Sequence, residues 1–522
     1  DRRARFSPDG SSILFLRDLG SRDALFRTAL VGGEARKLVD EVSDADWSPD
    51  GRRIAFFRVR EGPPTETAFG IFDVEKGRDR IVSVLKNLEV FCARWSPDGR
   101  SIAISAGTLN RNAASWRLDL LDPDTGKLSP VPPGRPGNAL GGIAWSGSGR
   151  ELFYIQAASV MGDISGSGSR LYRCDADTGR RTTVLWADGL ASINASAGEV
   201  SRCDVVAPGR LVFTEQLRRQ NLREISLGEA GSSSASRIVT NGSSVDRQPT
   251  YSRDGRSVLF SSNRSGNLDL WVLDLASGGL RQLTDDRAQD WDPAFTPDGR
   301  QVLWDSDRSG HLEVWIANAD GSGARQLTHD GVDAENPTET PDGKWVVYWS
   351  GNASHTGVWK IHPDGTGAQR LVPNSAVGTD VSPDGRYVLF ADQNRIGLRN
   401  TIRFAEVETG RIVPFAIPVP FTIGSPAIIY GRARWSPDGS KIYFVGLDAK
   451  GRTGVFEQDF LPGHDTTASR RPVAGFSPEY VTESLGLSPD GKRLTISTGN
   501  QFSSIMLAEN VPGALPQERK TR

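Results

Sequence analysis

The tetrapeptide Ser-Pro-Asp-Gly, or a near copy of it, opens at Ser7, Ser48, Ser96, Ser146 (as Ser-Gly-Ser-Gly), Ser252 (as Ser-Arg-Asp-Gly), Thr296, Thr340, Ser382, Ser436 and Ser488, and a worn copy occupies 205–213. Eleven units recurring at roughly 41 to 60 residues mark a repeat architecture, in which each unit buries its apolar face only against its neighbours. Each unit divides into four pieces of β length. From Pro249 these are "PTYS", "RSVLFSS", "LDLWVLDL" and "RQLT"; the next unit gives "PAFT", "QVLWDS", "LEVWIAN" and "RQLT". Four strands per unit is the blade of a β-propeller, so the expected fold is all-β, with about eleven four-stranded blades.

The repeated phrase is read as a turn between the first and second strands of a blade. Pro presets φ for the second turn position, Asp is accepted at the third, and Gly supplies the positive φ at the end. The aromatic residue before it (Trp47, Trp95, Trp145, Tyr251, Phe295, Trp435) is expected to pack between neighbouring blades. In this reading the serine is punctuation and not a nucleophile.

Composition agrees: Gly 57, Pro 30 and Trp 13 against Met 2 favour short strands and tight turns over long helices. A net charge of −2 argues against a nucleic-acid partner. Cys92, Cys174 and Cys203 stand far apart without metal-ligand spacing and are expected as small buried hydrophobes. No run of 18 apolar residues exists; the nearest, 415–430, is broken by Pro418, Pro420 and Pro426, so direct membrane insertion of this segment is not expected. The chain opens at Asp1 and reads as processed or cut from something longer.

The stretch 262–331, "SNRSGNLDLWVLDLASGGLRQLTDDRAQDWDPAFTPDGRQVLWDSDRSGHLEVWIANADGSGARQLTHDG", alternates P-x-F-[ST]-P-D-G, S-x-R-x-G and R-Q-L-T. It resembles the TolB-type, WD-like propeller family. The likeness is strongest over 248–385, clear to Gly499 and weaker in the first 240 residues. The resemblance implies a rigid disc that binds proteins or peptides, commonly in the bacterial envelope, hence a periplasmic or extracytoplasmic location. Similar repeats form sensor regions of bacterial Ser/Thr kinases and winged-helix regulators, and the non-catalytic propeller of prolyl-oligopeptidase-type enzymes. The small α/β domain that precedes the TolB propeller is not visible here, so its partner is not carried over.

Eleven blades exceed the usual limit of about eight in one ring, which points to two propellers in tandem. The division expected is 1–235, with about five blades, and 236–510, a six-bladed ring whose last blade is closed by the outer strand 236–240; 511–522 is expected as a disordered tail. A second ring inserted into the first, or one large ring, stays open.

No serine has the Gly-x-Ser-x-Gly setting of an α/β-hydrolase, the five histidines form no HExxH, and no phosphate-binding Gly-rich loop ends in Lys-Ser/Thr. "DPDTG" at 122–126 and "DADTG" at 175–179 are read as strand turns and not as calcium loops. No catalytic residue, metal site or cofactor is therefore expected. What remains is a set of loop residues at the blade ends opposite the Ser-Pro-Asp-Gly turns: Asp246, Arg247, Arg264, Asp290, Trp291, Asp292, Arg308, Glu335, Asn336 and Arg395. One reading makes them turn-shaping residues and local ion pairs. The other makes them a charged mouth around the channel, with Trp291 as an aromatic anchor for a protein or peptide partner. The function expected is a non-enzymatic binding or sensing scaffold; the alternative is a propeller hydrolase or lyase, or a peptidase propeller separated from its catalytic domain.

Overall fold

The computed structural model describes residues 2–19, 23–60, 66–110, 113–132, 140–156, 169–187, 203–207, 209–228, 236–331, 333–351, 356–373, 376–393, 399–420, 433–477 and 479–511. Among them the only helix is a 3-10 turn at Thr467–Ser469; the rest of the regular structure is strand. Nine sheets are four-stranded, each made of four consecutive antiparallel strands, and a tenth has five. The all-β propeller expectation is met. The chain separates into two compact units, 1–217 with 503–522, and 218–502.

In the second unit the first strands of six sheets, Asp246–Tyr251, Asp290–Phe295, Ala334–Glu339, Ala376–Val381, Arg434–Trp435 and Tyr480–Leu487, touch one another in that order, and the last packs against the first. The ring is therefore closed. Its closing blade draws on both ends of the unit. Tyr480–Leu487 pairs with Arg493–Ala508, while residues 223–225 pair with Ser236–Ile238. Sequence reading had placed only the outer strand there; the segment ending at Ser226 joins it, and Leu227 N–H donates to Lys492 O at 2.8 Å.

Glu224 fastens this closure. Only 4 % exposed, it accepts from Arg237 at 2.6 and 2.9 Å and from Arg493 Nη1 at 3.2 Å. A buried carboxylate costs heavily unless paired and hydrogen-bonded, and here two guanidiniums supply both.

The first unit builds its blades in the same way, starting from Arg2–Phe6, Asp44–Trp47, Glu89–Trp95, Leu140–Trp145 and Cys203–Ala207. Trp47 packs with Leu14 and Leu25 of the preceding blade and with Phe56 of its own, the expected place of the aromatic between blades. Cys92, Cys174 and Cys203 are buried free thiols. Of the expected tail, Val511 is buried and donates to Gly209 O at 3.0 Å; 512–522 lie outside the described residues.

The repeated turn has one chemistry throughout. In 436–441, Ser436 Oγ donates to Asp438 Oδ1 (2.6 Å), Ser440 N–H donates to the same oxygen (3.0 Å), Lys441 N–H donates to Ser436 Oγ (2.9 Å) and Gly439 N–H donates to Ser436 O (2.8 Å). The hydroxyl and the N–H hold the Asp438 carboxyl below its ordinary range. Where Asp is missing, Ser148 takes its place, 3.0 Å from Ser146 Oγ. Gly439 has φ +73°, which only glycine adopts without strain. These turns also touch around the ring: a Cβ on Gly385, Gly439, Gly491 or Gly255 would lie 3.5 to 3.6 Å from the proline of the preceding turn, Pro341, Pro383, Pro437 or Pro489.

Candidate binding site at the loop end of the second unit

A blade's first strand ends in the Ser-Pro-Asp-Gly turn, so its start lies at the opposite end, beside the loop between the second and third strands. Register fixes the neighbours: Asp246 faces Ser262, and Asp290 faces Ser306. Two residues beyond each serine stands an arginine. Arg264 donates to Ser262 Oγ (2.8 Å) and Asp246 Oδ1 (2.7 Å), and Ser262 Oγ donates to the same carboxylate at 2.6 Å. Arg308 repeats this with Ser306 Oγ (2.9 Å) and both oxygens of Asp290 (3.0 and 3.1 Å), where Trp304 Nε1–H adds a bond at 3.1 Å. Each guanidinium also lies over two rings of its own blade, Arg264 over Phe260 and Trp271, Arg308 over Trp304 and Trp315.

Asp246 and Asp290 are fully buried, so each motif is an internal lock. Burial pushes the Asp290 carboxyl up, and Arg308 opposes that shift. The third blade supplies an internal control: Ala334 faces Ser350 where the aspartates stand elsewhere, and the sequence after Ser350, Gly-Asn-Ala-Ser, has no arginine. Acid and base disappear together.

Two positions further along the first strand, Gln248, Asp292 and Asn336 take φ of 57, 49 and 57°, followed in each case by proline, and Gly378 takes φ 68° at the matching place. The ladder shifts register at each of these sites. The bulge swings their polar groups from blade to blade. Asp292 N–H donates to Gln248 Oε1 (3.0 Å), Asn336 Nδ2 donates to Asp292 Oδ2, and Gly378 N–H donates to Asn336 Oδ1 (2.6 Å). Four blades are thereby tied by one hydrogen-bonded belt.

Between lock and belt lies one residue per blade. Arg247, only 2 % exposed, places its guanidinium 4.8 Å from the centre of the Trp291 ring, and the indole itself stays half-buried. Glu335 holds the equivalent place in the third blade and is buried. Of the ten residues singled out in the sequence, Asp246, Arg264, Asp290 and Arg308 thus form locks, Asp292 and Asn336 the belt, and Arg247 and Trp291 a stacked pair. Arg395 lies outside the described residues. Sequence reasoning passed over Gln248, whose signal was present: it precedes a proline at the blade position of Asp292 and Asn336.

Both S-x-R locks and the hydrogen-bonded belt lie in one segment of the second unit. Residues 220–410 match the family model of the TolB β-propeller domain. All ten candidate residues fall inside this matched segment. Among solved structures, similarity extends to TolB from Acinetobacter baumannii (16 % identity over 72 % of this chain and 82 % of that chain, TM-score 0.29). It extends also to a putative TolB from Agrobacterium tumefaciens (15 %, 84 % and 99 %, TM-score 0.22) and to an oligogalacturonate lyase from Vibrio parahaemolyticus (12 %, 54 % and 98 %, TM-score 0.34). No curated protein matches the sequence.

Proposed function

We propose that this protein is a non-enzymatic scaffold or sensor module of the bacterial envelope, and that a protein or peptide partner docks on the loop end of the second unit, around Trp291. The observation that carries the reading is the Arg247–Trp291 stack. It presents a half-buried indole, held from behind by a buried guanidinium, on a strand whose other polar side chains are engaged in locks and belt. A large ring pre-set in one orientation loses little conformational freedom on binding, and aromatic anchors of this kind dominate interface energies. Arg264 and Arg308 act in this reading as supports of the surface, not as contacts.

Peptide-display selection on the full chain supplies the test. The selected peptide should bind Trp291→Ala about 30-fold more weakly than the parent, about 2 kcal/mol, the scale of a buried aromatic anchor. Peptides that bind both equally well would overturn the assignment. The rival class, an enzyme working from scattered loop residues, is tested by turnover of peptide, lactone and glycan substrates that survives repurification.

A further inference from the structure

The fifth blade of the first unit stops one strand short. It starts with Cys203–Ala207, continues with the start of Arg210–Ser226 and then with the end of Arg493–Ala508, of which 503–508 belong to this unit. Val511 N–H then donates to Gly209 O, as Val74, Ala176 and Leu275 N–H donate to Arg52, Arg150 and Arg256 O just beyond the third strands of other blades. So 503–508 is a third strand. The other four blades of the unit each lay an antiparallel fourth strand on their third: Arg36–Asp40, Arg78–Lys86, Leu128–Pro130 and Arg181–Ala187. Among the described residues no such strand lies on 503–508; the next strand of its sheet, Tyr480–Leu487, pairs with 494–499.

Side-chain exposure shows the same break. Ile505 and Leu507, two apart and so on one face of the strand, are 80 and 53 % exposed, whereas Leu25, Ile71 and Leu171, on third strands that carry a fourth, are 1, 3 and 0 % exposed. In the second blade the covering is explicit: Val82 and Leu85 of Arg78–Lys86 pack with Phe69 and Ile71 of the strand beside them. The junction with the first blade is open as well. Phe6, at the turn place of Trp47, Trp95 and Trp145, is 65 % exposed where they are 6, 6 and 9 % exposed. An open edge offers a row of backbone N–H and C=O groups that another extended backbone can pair, and outer edges are commonly blunted by charge or proline. Pro414, Pro418 and Pro420 do so on Ile412–Pro420; the sequence of 503–508, Ser-Ser-Ile-Met-Leu-Ala, carries neither device.

We propose that 503–508 is an acceptor edge for an extended segment of a partner protein, which adds to the fifth blade as its fourth strand. The segment runs antiparallel to 503–508, as the other fourth strands run to their thirds, and is held through its main chain. At alternate positions it sets apolar side chains beside Ile505 and Leu507. This surface lies in the first unit and is independent of the reading given for Trp291.

The longest outer strand of the same unit supplies the probe. Acetyl-Arg-Asp-Arg-Ile-Val-Ser-Val-Leu-Lys-amide, the sequence of 78–86, is titrated calorimetrically into the full chain and should bind. Ile505→Asp combined with Leu507→Asp, both at exposed positions, should weaken it at least about ten-fold and leave the thermal midpoint unchanged. A strand turns successive N–H groups to opposite sides, so N-methylation of every second residue of the peptide should cost about ten-fold or more in one frame and little in the other. No binding of the peptide, equal binding to the double variant, or an equal effect of both N-methyl frames would each overturn the proposal. Weakening by Trp291→Ala would put the peptide on the other surface and overturn it too. Binding only to a chain ending at Val511 would assign the edge to residues 512–522, and a dimer of the full chain that the double variant dissolves would assign it to a second copy; either result overturns the proposal as well.

Discussion

The two ends of the second unit's blades answer the same structural demand differently. At the turn end, Ser252, Thr296, Thr340, Ser382, Ser436 and Ser488 each donate to the aspartate two residues on, and the loops are nearly interchangeable. At the loop end, two blades carry an Asp-Ser-Arg lock, the third has Ala334 and no arginine, and the fourth pairs Asp392 with Arg403 instead (2.8 Å). Uniform turns close the ring but offer little from which to specify a partner, whereas variable loops on a rigid frame do.

The strongest way to break the comparison is to break a lock. Asp246→Ala removes the carboxylate that Arg264 pairs with at 2.7 Å and should cost about 3 to 5 kcal/mol in urea-induced unfolding, the scale for removing one member of a buried ion pair; Asp290→Ala should cost less, because Arg308 keeps Asp286 at 3.0 Å. A loss confined to the surface scale of below about 1 kcal/mol would show that the locks are ornamental. Next in size is the effect of Trp291→Ala, about 2 kcal/mol on partner affinity with little change in stability, because the ring is half-buried and belongs to no lock. The turn end should respond in the opposite sense. Gly299→Val and Gly343→Val, at φ +74 and +69°, should lower stability by about 1 to 3 kcal/mol through backbone strain and leave affinity for the selected peptide unchanged.

The smallest effect is a pH dependence. Glu339 stands where Tyr251, Phe295 and Trp435 stand in three other blades, and burial, with Asp298 and Asp342 adding to it, pushes its carboxyl up to about 7. A folded-state value above the unfolded one means that the native chain holds the proton longer, so this group's contribution is present at low pH. It is lost as pH rises from the ordinary 4.5 through about 7. Glu339→Gln should therefore raise the unfolding midpoint at pH 8 and change it little at pH 4. The turn aspartates run the other way: Asp342, held low by the Thr340 hydroxyl and the Lys344 N–H, stabilises above its unfolded value and loses that contribution on acidification.

The blades and turns were legible because their chemistry is local: four residues decide a Ser-Pro-Asp-Gly turn, and the strand pattern follows within ten. The loop-end residues were visible as residue types but not as pairs. Asp246 and Arg264 become partners only once the first and second strands are set in register, and Asp292 meets Gln248 and Asn336 only once neighbouring blades are packed side by side. The ring closure was least legible, since Glu224 and Arg493 are separated by 269 residues and nothing local ties them together.

Hydrogen–deuterium exchange of the full chain, with and without a peptide selected on it, tests the docking assignment most directly. The account predicts slowed exchange in the loop-end segments 263–268, 284–292 and 307–312, with the turns at 296–299 and 436–439 unchanged. Protection confined to the turn segments, with the loop end exchanging as in the free protein, would contradict it.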